Sequence, residues 1–484
     1  MTRTSTPHRE STTATIQGNT IQGKTIQGKE VPESWKTLEH GIRVGRYTDP
    51  EFLQLEFDRL WTKVWQVAAR VDAVPEPNDF ITYEIGDQSV FIVRVDENTV
   101  KAYHNVCPHR GTALAEGQGT FPGGHIICPF HGWRWNTEGD NQYILAREEF
   151  RGGKLCNSDV ALKSLPCVVY AGFVFINFDK DCPSFDDFIA PVKSLMDDLN
   201  LKEMRHYWWK SISIPSNWKV AEEAFFETYH VPATHPQLEV KAAEFIFGDE
   251  INGEFENYNH HNVDYQTYAN GHGRFYAGRA TNYQGKVTSQ LPGQDPVDAM
   301  ADRLQLLVDG MDAQVLQEDV DLLRTLKGQP IPEGSSLGGE YIRVLYENAA
   351  AKDRPMPKAI PEIIAMWGGE IFLFPNVMIL PQAGNAMIYR VRPHESDPHQ
   401  CTFEIFSTRS LPAAVKPERA EPVFVTDGND PEQMYQVPRQ DLGNLQRIQK
   451  GLRSKAIKQI WLASHHEKII LGLHQEIDRF LMDE

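Results

Sequence analysis

Cysteine is scarce in this sequence, and its scarcity limits the class of protein. Only 6 of the 484 residues are cysteine, whereas small domains that depend on disulfides have a far higher density of them. A scaffold held together by disulfides is therefore excluded. Four of the six cysteines have no partner at a ligand-like spacing: Cys156, Cys167, Cys182 and Cys401. Cys107 and Cys128 remain as the cysteines with a candidate chemical role.

Long apolar runs and an excess of positive charge are also missing. No run of eighteen or more apolar residues occurs, so the sequence predicts no membrane-spanning helix. The formal net charge is −18 and no cluster of lysine and arginine stands out, whereas nucleic-acid-binding domains carry basic patches. We therefore expect a cytoplasmic protein that binds neither a membrane nor nucleic acid.

The first 34 residues differ in composition from the rest of the chain. They are rich in Ser, Thr, Gln and Gly, and they include TIQGNTIQGKTIQGK, whose five-residue period has too few copies for a stacked repeat protein. No apolar segment of a secretory signal is present. The composition favours a disordered tail, with an organelle transit peptide as the alternative.

The hydrophobic periodicity changes twice downstream of this tail. Residues 49–66 show helical spacing, with Asp49 as the predicted N-cap and Pro50 at the first helical position. Residues 67–178 alternate at period two, with a turn signal at Gly86-Asp87. Beyond them we predict helices at 185–200, 217–230 and 437–482 and strands at 370–380, 386–393 and 401–411. A small β domain followed by an antiparallel sheet covered by helices is an α+β fold.

Two short loops each supply one cysteine and one histidine. They are Cys107-x-His109 and, after eighteen intervening residues, Cys128-x-x-His131. Structural zinc sites usually pair Cys with Cys and His with His, so zinc, or a chance placement in loops, is the less favoured interpretation. In a Rieske [2Fe–2S] cluster two thiolates bind one iron and two imidazoles bind the other. Each loop must then reach both irons, which loops of mixed Cys and His can do.

A second set of candidate ligands lies in NWKVAEEAFFETYHVPATHPQ, residues 217–237. Glu223, Glu227 and His230 are spaced to share one face of a helix, and Pro232 is expected to end that helix. After the break, His235 can turn back toward His230, so that two imidazoles meet at one metal. A pair of core histidines with satisfied hydrogen bonds is the alternative.

The third ligand must come from elsewhere, and Asp441 is the candidate. It shares one face of the predicted C-terminal helix with Leu445, Ile448 and Leu452. Because a buried carboxylate is costly unless it is paired or bound to a metal, we expect it at the metal; a solvated aspartate at the helix start is the alternative. Two histidines and one carboxylate leave positions on iron(II) open for O2 and substrate.

These motifs resemble the Rieske non-haem iron oxygenases, the aromatic ring-hydroxylating oxygenase large (alpha) subunits. CPHRG and CPFHGW are similar to the family's cluster motif, and the two histidines and Asp441 match its iron-binding triad in order. The resemblance implies an antiparallel β-sandwich with two cluster-binding loops, then a catalytic domain whose helix-grip-like antiparallel sheet is covered by helices. We place a tail at 1–34, an N-terminal helical segment at 35–63, the Rieske domain at 64–180 and the catalytic domain at 181–484.

The same resemblance implies two cofactors, a [2Fe–2S] Rieske cluster and a mononuclear Fe(II). It implies that an NAD(P)H-dependent reductase, with or without a ferredoxin, supplies electrons and that O2 is the oxidant. A homotrimer is expected, in which the cluster of one chain faces the iron of its neighbour, and a small β subunit is a further partner consistent with the family. A non-catalytic electron carrier is the alternative from another class, but it needs only on the order of a hundred residues.

One position departs from the family pattern. An aspartate usually stands three residues before the first iron histidine and links it to a cluster histidine of the neighbouring chain, whereas this sequence has Glu227. Glutamate here resembles the branch that oxidises quaternary amines such as carnitine, and it also occurs in other branches. Two substrate classes follow: an apolar aromatic or steroid-like compound that gains one or two oxygen atoms, or a quaternary amine of choline, betaine or carnitine type. From the sequence we favour the apolar ring compound.

Overall fold

The structure is a computed structural model that describes residues 25–26, 28–238, 263–276, 293–364, 366–367 and 369–482. Most of the expected tail, residues 1–34, lies outside these ranges. Its described part contains a short antiparallel pair, Thr25–Ile26 (β1) and Lys29–Glu30 (β2). Within the described ranges no helix is both long and apolar enough to cross a membrane.

The N-terminal segment combines two short strands with two short helices: β3 (Thr37–Leu38), β4 (Gly41–Arg43), α1 (Gly45–Thr48) and α2 (Pro50–Glu56). The predicted N-cap is confirmed, because the Asp49 side chain accepts a hydrogen bond of 2.9 Å from the Glu51 amide. The predicted helix over 49–66 is too long. A π-helical turn follows α2, and the chain is already a strand at Gln66, which pairs with Ile176. Strand pairing with a distant residue overrides the local helical pattern there.

The β domain consists of three antiparallel sheets with the orders β13-β8-β7-β6-β9, β14-β15-β5 and β10-β11-β12. Its strands are β5 (Gln66–Arg70), β6 (Asp79–Ile85), β7 (Gln88–Arg94), β8 (Val100–His104), β9 (Gln118–Thr120), β10 (Ile126–Ile127), β11 (Arg134–Trp135), β12 (Asn141–Tyr143), β13 (Ser164–Leu165), β14 (Cys167–Tyr170) and β15 (Phe173–Ile176). The predicted turn at Gly86-Asp87 is confirmed, since Ile85 pairs with Gln88 across a two-residue hairpin loop.

A single eight-stranded sheet dominates the second half of the chain, with the order β17-β18-β19-β20-β21-β22-β16-β23. Its strands are β16 (Met204–Ile214), β17 (Asp264–Thr267), β18 (Gly273–Tyr276), β19 (Glu370–Leu373), β20 (Val377–Pro381), β21 (Asn385–Pro393), β22 (Cys401–Ser410) and β23 (Val423–Phe424). All pairs are antiparallel except β16 with β23. The predicted strands at 370–380, 386–393 and 401–411 are therefore confirmed, the first as a hairpin of two strands.

The two faces of this sheet have different neighbours because side chains alternate along each strand. On one face the Arg390 guanidinium contacts Glu404 at 2.8 Å and 2.9 Å and donates to the Val67 carbonyl of the β domain at 3.2 Å. On the opposite face the adjacent Tyr389 stacks on Phe225, with ring centroids 4.2 Å apart. The first face thus packs on the β domain, and the second faces the segment that carries the candidate iron histidines.

The helices of this half are α3 (Phe185–Ile189), α4 (Lys193–Asp198), α5 (Trp218–Glu223), α6 (Val231–Thr234), α7 (Pro296–Met311), α8 (Gln317–Arg324), α9 (Leu337–Ala351), α10 (Pro361–Ile364), α11 (Gln436–Leu452) and α12 (Lys468–Leu481). The helix predicted over 185–200 is interrupted at Pro191, which has no amide hydrogen to donate. The helix predicted over 437–482 is two helices separated by β24 (Gln459–Trp461), which pairs with β4.

Candidate metal centres

The helix that was expected to run through 217–230 ends earlier than predicted. Helix α5 stops at Glu223, and His230 is the N-cap of α6, in which Pro232 occupies the first turn. Pro232 therefore helps to start a helix instead of ending one. As a result Glu223 does not share a face with His230. Its carboxylate accepts a hydrogen bond of 3.0 Å from the hydroxyl of Tyr47.

The candidate iron ligands nevertheless come together. His230, His235 and Asp441 each offer one ligand atom, and these atoms all lie within 4.8 Å of one another. Asp441 Oδ1 lies 2.9 Å from His235 Nε2 and 3.8 Å from His230 Nε2. Among the described residues, no other group of three or more His, Cys, Asp or Glu is this close. The two ends of a short loop–helix segment and the first turns of α11 thus converge on one point.

Both imidazoles present the same nitrogen to that point because their other nitrogen has a partner. The Nδ1 of His230 lies 2.9 Å from Oε1 of Glu227, and the Nδ1 of His235 lies 2.9 Å from Oε1 of Gln440. Each oxygen accepts the Nδ1 proton, so each Nε2 keeps a free lone pair for a metal. Sequence reasoning missed Gln440, although its position beside Asp441 was a usable signal.

The electrostatics of His230 follow from this arrangement. Burial lowers the pKa of its imidazole, but the hydrogen bond and charge of Glu227, together with the charge of Asp441, outweigh burial and raise the pKa above its ordinary value. Carboxylates that raise a histidine pKa also make its free nitrogen a better electron donor to a metal. The site is well enclosed, since only 3% of His235 and 5% of Asp441 is exposed.

The helix face that predicted Asp441 is only partly as expected. Asp441, Leu445 and Leu452 are buried, but Ile448 is 46% exposed. A hydrogen bond of 3.2 Å from Asn444 to the Thr234 hydroxyl attaches α11 to α6. The inward direction of Asp441 is therefore set by contacts with the histidine segment as well as by the apolar face of its own helix.

The two cysteine loops have the same backbone conformation. In the first loop the Cys107 amide donates to the Thr112 carbonyl at 2.8 Å and the Gly111 amide donates to the Cys107 carbonyl at 2.9 Å. In the second loop, the amide of Cys128 donates to the carbonyl of Trp133 at 2.8 Å, and the amide of Gly132 donates to the carbonyl of Cys128 at 3.0 Å. Gly111 and Gly132 have φ of 83° and 70°, a conformation that favours glycine. The loops thus present their cysteines and histidines in equivalent positions.

The residues of these loops fit a two-iron cluster. Cys107 and Cys128 are buried free thiols rather than a disulfide. The imidazoles of His109 and His131 are neighbours, with ring centroids 4.7 Å apart, and the Nδ1 of His109 is buried without a hydrogen-bond partner in the described part of the chain. Burial, followed by the charges of His131 and Arg110, lowers the pKa of His109 and so favours the neutral imidazole that a metal requires.

Fold and sites together define a protein class in which a cluster domain precedes a mononuclear iron domain. The sequence matches the Rieske [2Fe–2S] domain over residues 64–165 and the catalytic domain of ring hydroxylating alpha subunits over residues 201–483. The second match covers more than half of the chain, and the chain belongs to this family. The family recognised from the motifs, the α+β fold with its order of domains and the two cofactors, a Rieske cluster and a mononuclear iron, are thereby confirmed.

Several curated relatives are similar to part of the chain. The glycine betaine monooxygenase oxygenase subunit of Pseudomonas aeruginosa is 28% identical over 40% of this chain and 44% of its own length. The carnitine monooxygenase oxygenase subunit of Acinetobacter pittii is 30% identical over 39% of this chain and 51% of its own. The chloroplastic choline monooxygenase of Atriplex hortensis is 31% identical over 39% of this chain and 44% of its own length. The chain thus spans about half the length of the curated relatives it matches.

Solved structures share the fold over nearly the whole chain. The quaternary ammonium Rieske monooxygenase CntA in complex with L-carnitine has a TM-score of 0.58 at 17% identity and covers 93% of this chain and 99% of its own. Naphthalene 1,2-dioxygenase from a Rhodococcus species also has a TM-score of 0.58, at 16% identity. The match covers 91% of this chain and 94% of the dioxygenase chain. At these identities the likeness shows the fold alone.

Proposed function

We propose that this chain is the oxygenase component of a Rieske monooxygenase that acts on a quaternary ammonium compound. The observation that carries the proposal is the similarity to oxygenases for glycine betaine, carnitine and choline. This similarity supports the second of the two substrate classes better than the apolar ring compound that the sequence favoured. Hydroxylation of an apolar ring compound, the class that the sequence favoured, is the second candidate.

The candidate residues divide between the two cofactors. Cys107, His109, Cys128 and His131 would hold the Rieske cluster. His230, His235 and Asp441 would hold the iron. When bound, the iron supplies open coordination positions at which O2 can be activated. The protein fixes both imidazoles through Glu227 and Gln440.

The proposed reaction is the hydroxylation of a carbon bound to the substrate's nitrogen. One atom of O2 enters a C–H bond, and the other leaves as water with two electrons and two protons. The new hydroxyl group then releases its proton as the carbon–nitrogen bond breaks, so that an aldehyde and a tertiary amine result. The electrons come from an NAD(P)H-dependent reductase, with or without a ferredoxin.

Glu227 is proposed to couple the two cofactors. Its carboxylate contacts His230, and the resemblance to the family implies that this position faces a cluster histidine of a neighbouring chain. A homotrimer is the assembly that this transfer would require. In support, the cluster loops carry exposed apolar side chains suited to docking a partner, Val106, Ile127 and Phe130, with the Arg110 guanidinium 5.2 Å from the Phe130 ring centroid.

The expected domain boundaries remain part of the proposal. The Rieske domain would span 64–180 and the catalytic domain 181–484, preceded by a tail at 1–34 and a helical segment at 35–63. The strand pairing of β4 with β24 supports a firm attachment of that helical segment to the C-terminal part of the chain.

A peroxide-driven turnover tests the substrate class. The reconstituted protein is mixed with hydrogen peroxide, which supplies oxygen and oxidising equivalents together, so no reductase need be known. One substrate pool holds choline, glycine betaine and carnitine, and the other holds aromatic and steroid compounds. Aldehyde and tertiary amine from the first pool are expected, and Asp441→Ala serves as the control that lacks the mononuclear iron but keeps the cluster. Hydroxylated product from the second pool alone would overturn the proposal.

A further inference from the structure

Two buried carboxyl groups, one within the histidine segment and one on the sheet that it covers, have no hydrogen-bond partner among the described residues. Glu370 begins β19 and is 2% exposed, and Glu222, in α5, is fully buried. Neither carboxylate oxygen of Glu222 has a hydrogen-bond partner among the described residues. For Glu370, burial and then the charge of Glu227 raise the pKa well above its ordinary value, and no described hydrogen-bond donor or cation opposes that shift. Such groups are costly to bury and are uncommon without a function.

Strand register places Glu370 on the sheet face that points toward the histidine segment. Glu370 is the direct cross-strand neighbour of Phe275, which is the neighbour of Tyr265, so all three side chains lie on one face of the sheet. The Tyr265 hydroxyl lies 3.0 Å from the hydroxyl of Thr228, the residue after Glu227. The face that carries Glu370 therefore looks toward the turn that holds Glu227.

Aromatic rings occupy the same face around Glu370. Phe372, two residues further along β19, packs on Phe226 with ring centroids 4.3 Å apart. Tyr389 lies in the same cross-strand row as Phe372 and stacks on Phe225 at 4.2 Å. Tyr389 and Glu370 therefore lie on the same face of the sheet, and burial followed by the charges of Asp441 and Glu370 raises the pKa of Tyr389. One buried carboxyl group thus shares a sheet face with aromatic side chains that pack on the histidine segment.

This combination suits a permanently charged ammonium group. A quaternary nitrogen has no N–H to donate, so a protein can recognise it only through opposite charge and the faces of aromatic rings. A neutral ring compound would leave the carboxyl group unmatched in an apolar site. We infer that Glu370 is a specificity-determining residue whose carboxylate contacts the ammonium group of the substrate, with Tyr389 as the adjacent aromatic face. The inference rests on the proposed substrate class and adds the residue that selects it.

Binding of matched ligand pairs tests this role directly. Choline and 3,3-dimethylbutan-1-ol, like glycine betaine and 3,3-dimethylbutanoate, share a shape and differ in having nitrogen or carbon at the centre of the trimethyl group. Dissociation constants are measured by calorimetry on the anaerobic protein containing both cofactors. We expect Glu370→Gln to weaken binding of the two ammonium compounds, choline and glycine betaine, by at least about tenfold. The dissociation constants of the carbon analogues should stay within about twofold of the wild-type values.

Two further variants control for damage to the fold. Glu222→Gln is the same change at an equally buried carboxyl group that interacts with Glu370 and Glu223 but has no proposed contact with the substrate. It should leave the dissociation constants of the carbon analogues within about twofold and should not weaken binding of the ammonium compounds. Glu370→Asp keeps the charge and should retain more cation binding than Glu370→Gln. Iron and sulfide content must stay at the wild-type value in every variant.

The outcomes separate this inference from the proposed function. If Glu370→Gln and the wild-type protein bind the ammonium compounds equally well, Glu370 does not have the proposed role. Turnover of the amine pool would in that case still support the proposed substrate class. Wild-type protein that binds the carbon analogues as tightly as the cations would also overturn it. Turnover of the ring pool alone would contradict the proposal of a quaternary ammonium substrate, and the role of Glu370 would be contradicted with it.

Discussion

The carboxylate of Glu227 holds His230 at two points. Its Oε2 accepts a hydrogen bond of 2.9 Å from the His230 amide, and its Oε1 accepts one of 2.9 Å from the ring Nδ1. The first contact fixes the backbone at the start of α6, and the second fixes the tautomer of the imidazole. One side chain therefore sets both the position and the chemical state of a candidate metal ligand.

Replacing Glu227 should separate metal binding from electron transfer. We expect Glu227→Ala to retain the cluster, and to retain the iron when iron is supplied in excess, because the residue binds neither metal and the variant loses only its support of His230. The variant should nevertheless leave a chemically reduced cluster reduced when substrate and O2 are added. Stopped-flow absorption of the cluster measures this, with iron analysis of the same sample. Reoxidation of the cluster at the wild-type rate would show that Glu227 does not couple the two sites.

Gln440 should matter for iron affinity although it is not a ligand. Its Oε1 is the acceptor for Nδ1 of His235, and loss of such a partner typically costs about 10- to 100-fold in metal affinity. We predict that Gln440→Ala releases iron to a chelator at a correspondingly lower chelator concentration, with an unchanged cluster spectrum. Gln237 also contacts Gln440, at 2.8 Å, but it does not contact His235 directly. Gln237→Ala is therefore the matched control, and an equal loss in both variants would contradict the explanation.

The two metal sites should be removable one at a time. The intact protein should contain about three irons per chain, two of them in the cluster. Cys128→Ser is expected to lower this to about one and to remove the acid-labile sulfide, whereas Asp441→Ala should leave about two and keep the sulfide. Iron and sulfide analysis of each variant, together with its visible spectrum, tests these expected contents. Loss of the cluster in Asp441→Ala, or retention of sulfide in Cys128→Ser, would contradict the assignment of ligands.

Acid sensitivity should trace to Glu404. Burial raises its pKa, but the charges of Arg390 and Arg392 outweigh burial and lower the pKa from 4.5 to about 2. Because a lowered carboxyl pKa stabilises the folded state above the unfolded pKa, this contribution is present at neutral pH and is lost as the pH falls from about 4.5 toward 2. We expect Glu404→Gln to cost roughly 3–5 kcal/mol at pH 7, with a smaller difference from the wild-type protein in acid.

Thermal unfolding at a series of pH values measures this effect. Glu222→Gln is the informative comparison, because burial raises the pKa of Glu222 well above its ordinary value, and glutamine removes that cost at neutral pH. Glu222→Gln should therefore be at least as stable as the wild-type protein at pH 7. A difference between Glu404→Gln and the wild-type protein that did not narrow in acid would contradict the role of the Arg390–Glu404 pair.

Local sequence patterns were sufficient where short-range geometry determines the structure. The Asp49 cap depends on a contact two residues away, and the Gly86-Asp87 turn depends on the hairpin that it closes. The cluster loops are likewise local, since the hydrogen bonds that shape them join residues at most five positions apart. For these features the interacting atoms are close in the chain, so residue type and spacing limit the conformation strongly.

The sequence by itself therefore determined the family, the order of the domains and the candidate ligands, since each depends on residue types at fixed short spacings. Tertiary structure alone decided where α5 ends, which oxygen fixes His235 and which residues surround the iron site. Gln440 is far from His235 in the chain, and Glu370 shares a sheet face with Phe275 and Tyr265 only through the register of three strands. Contacts between distant segments leave no periodic pattern, because they depend on how the strands and helices pack and not on spacing along the chain.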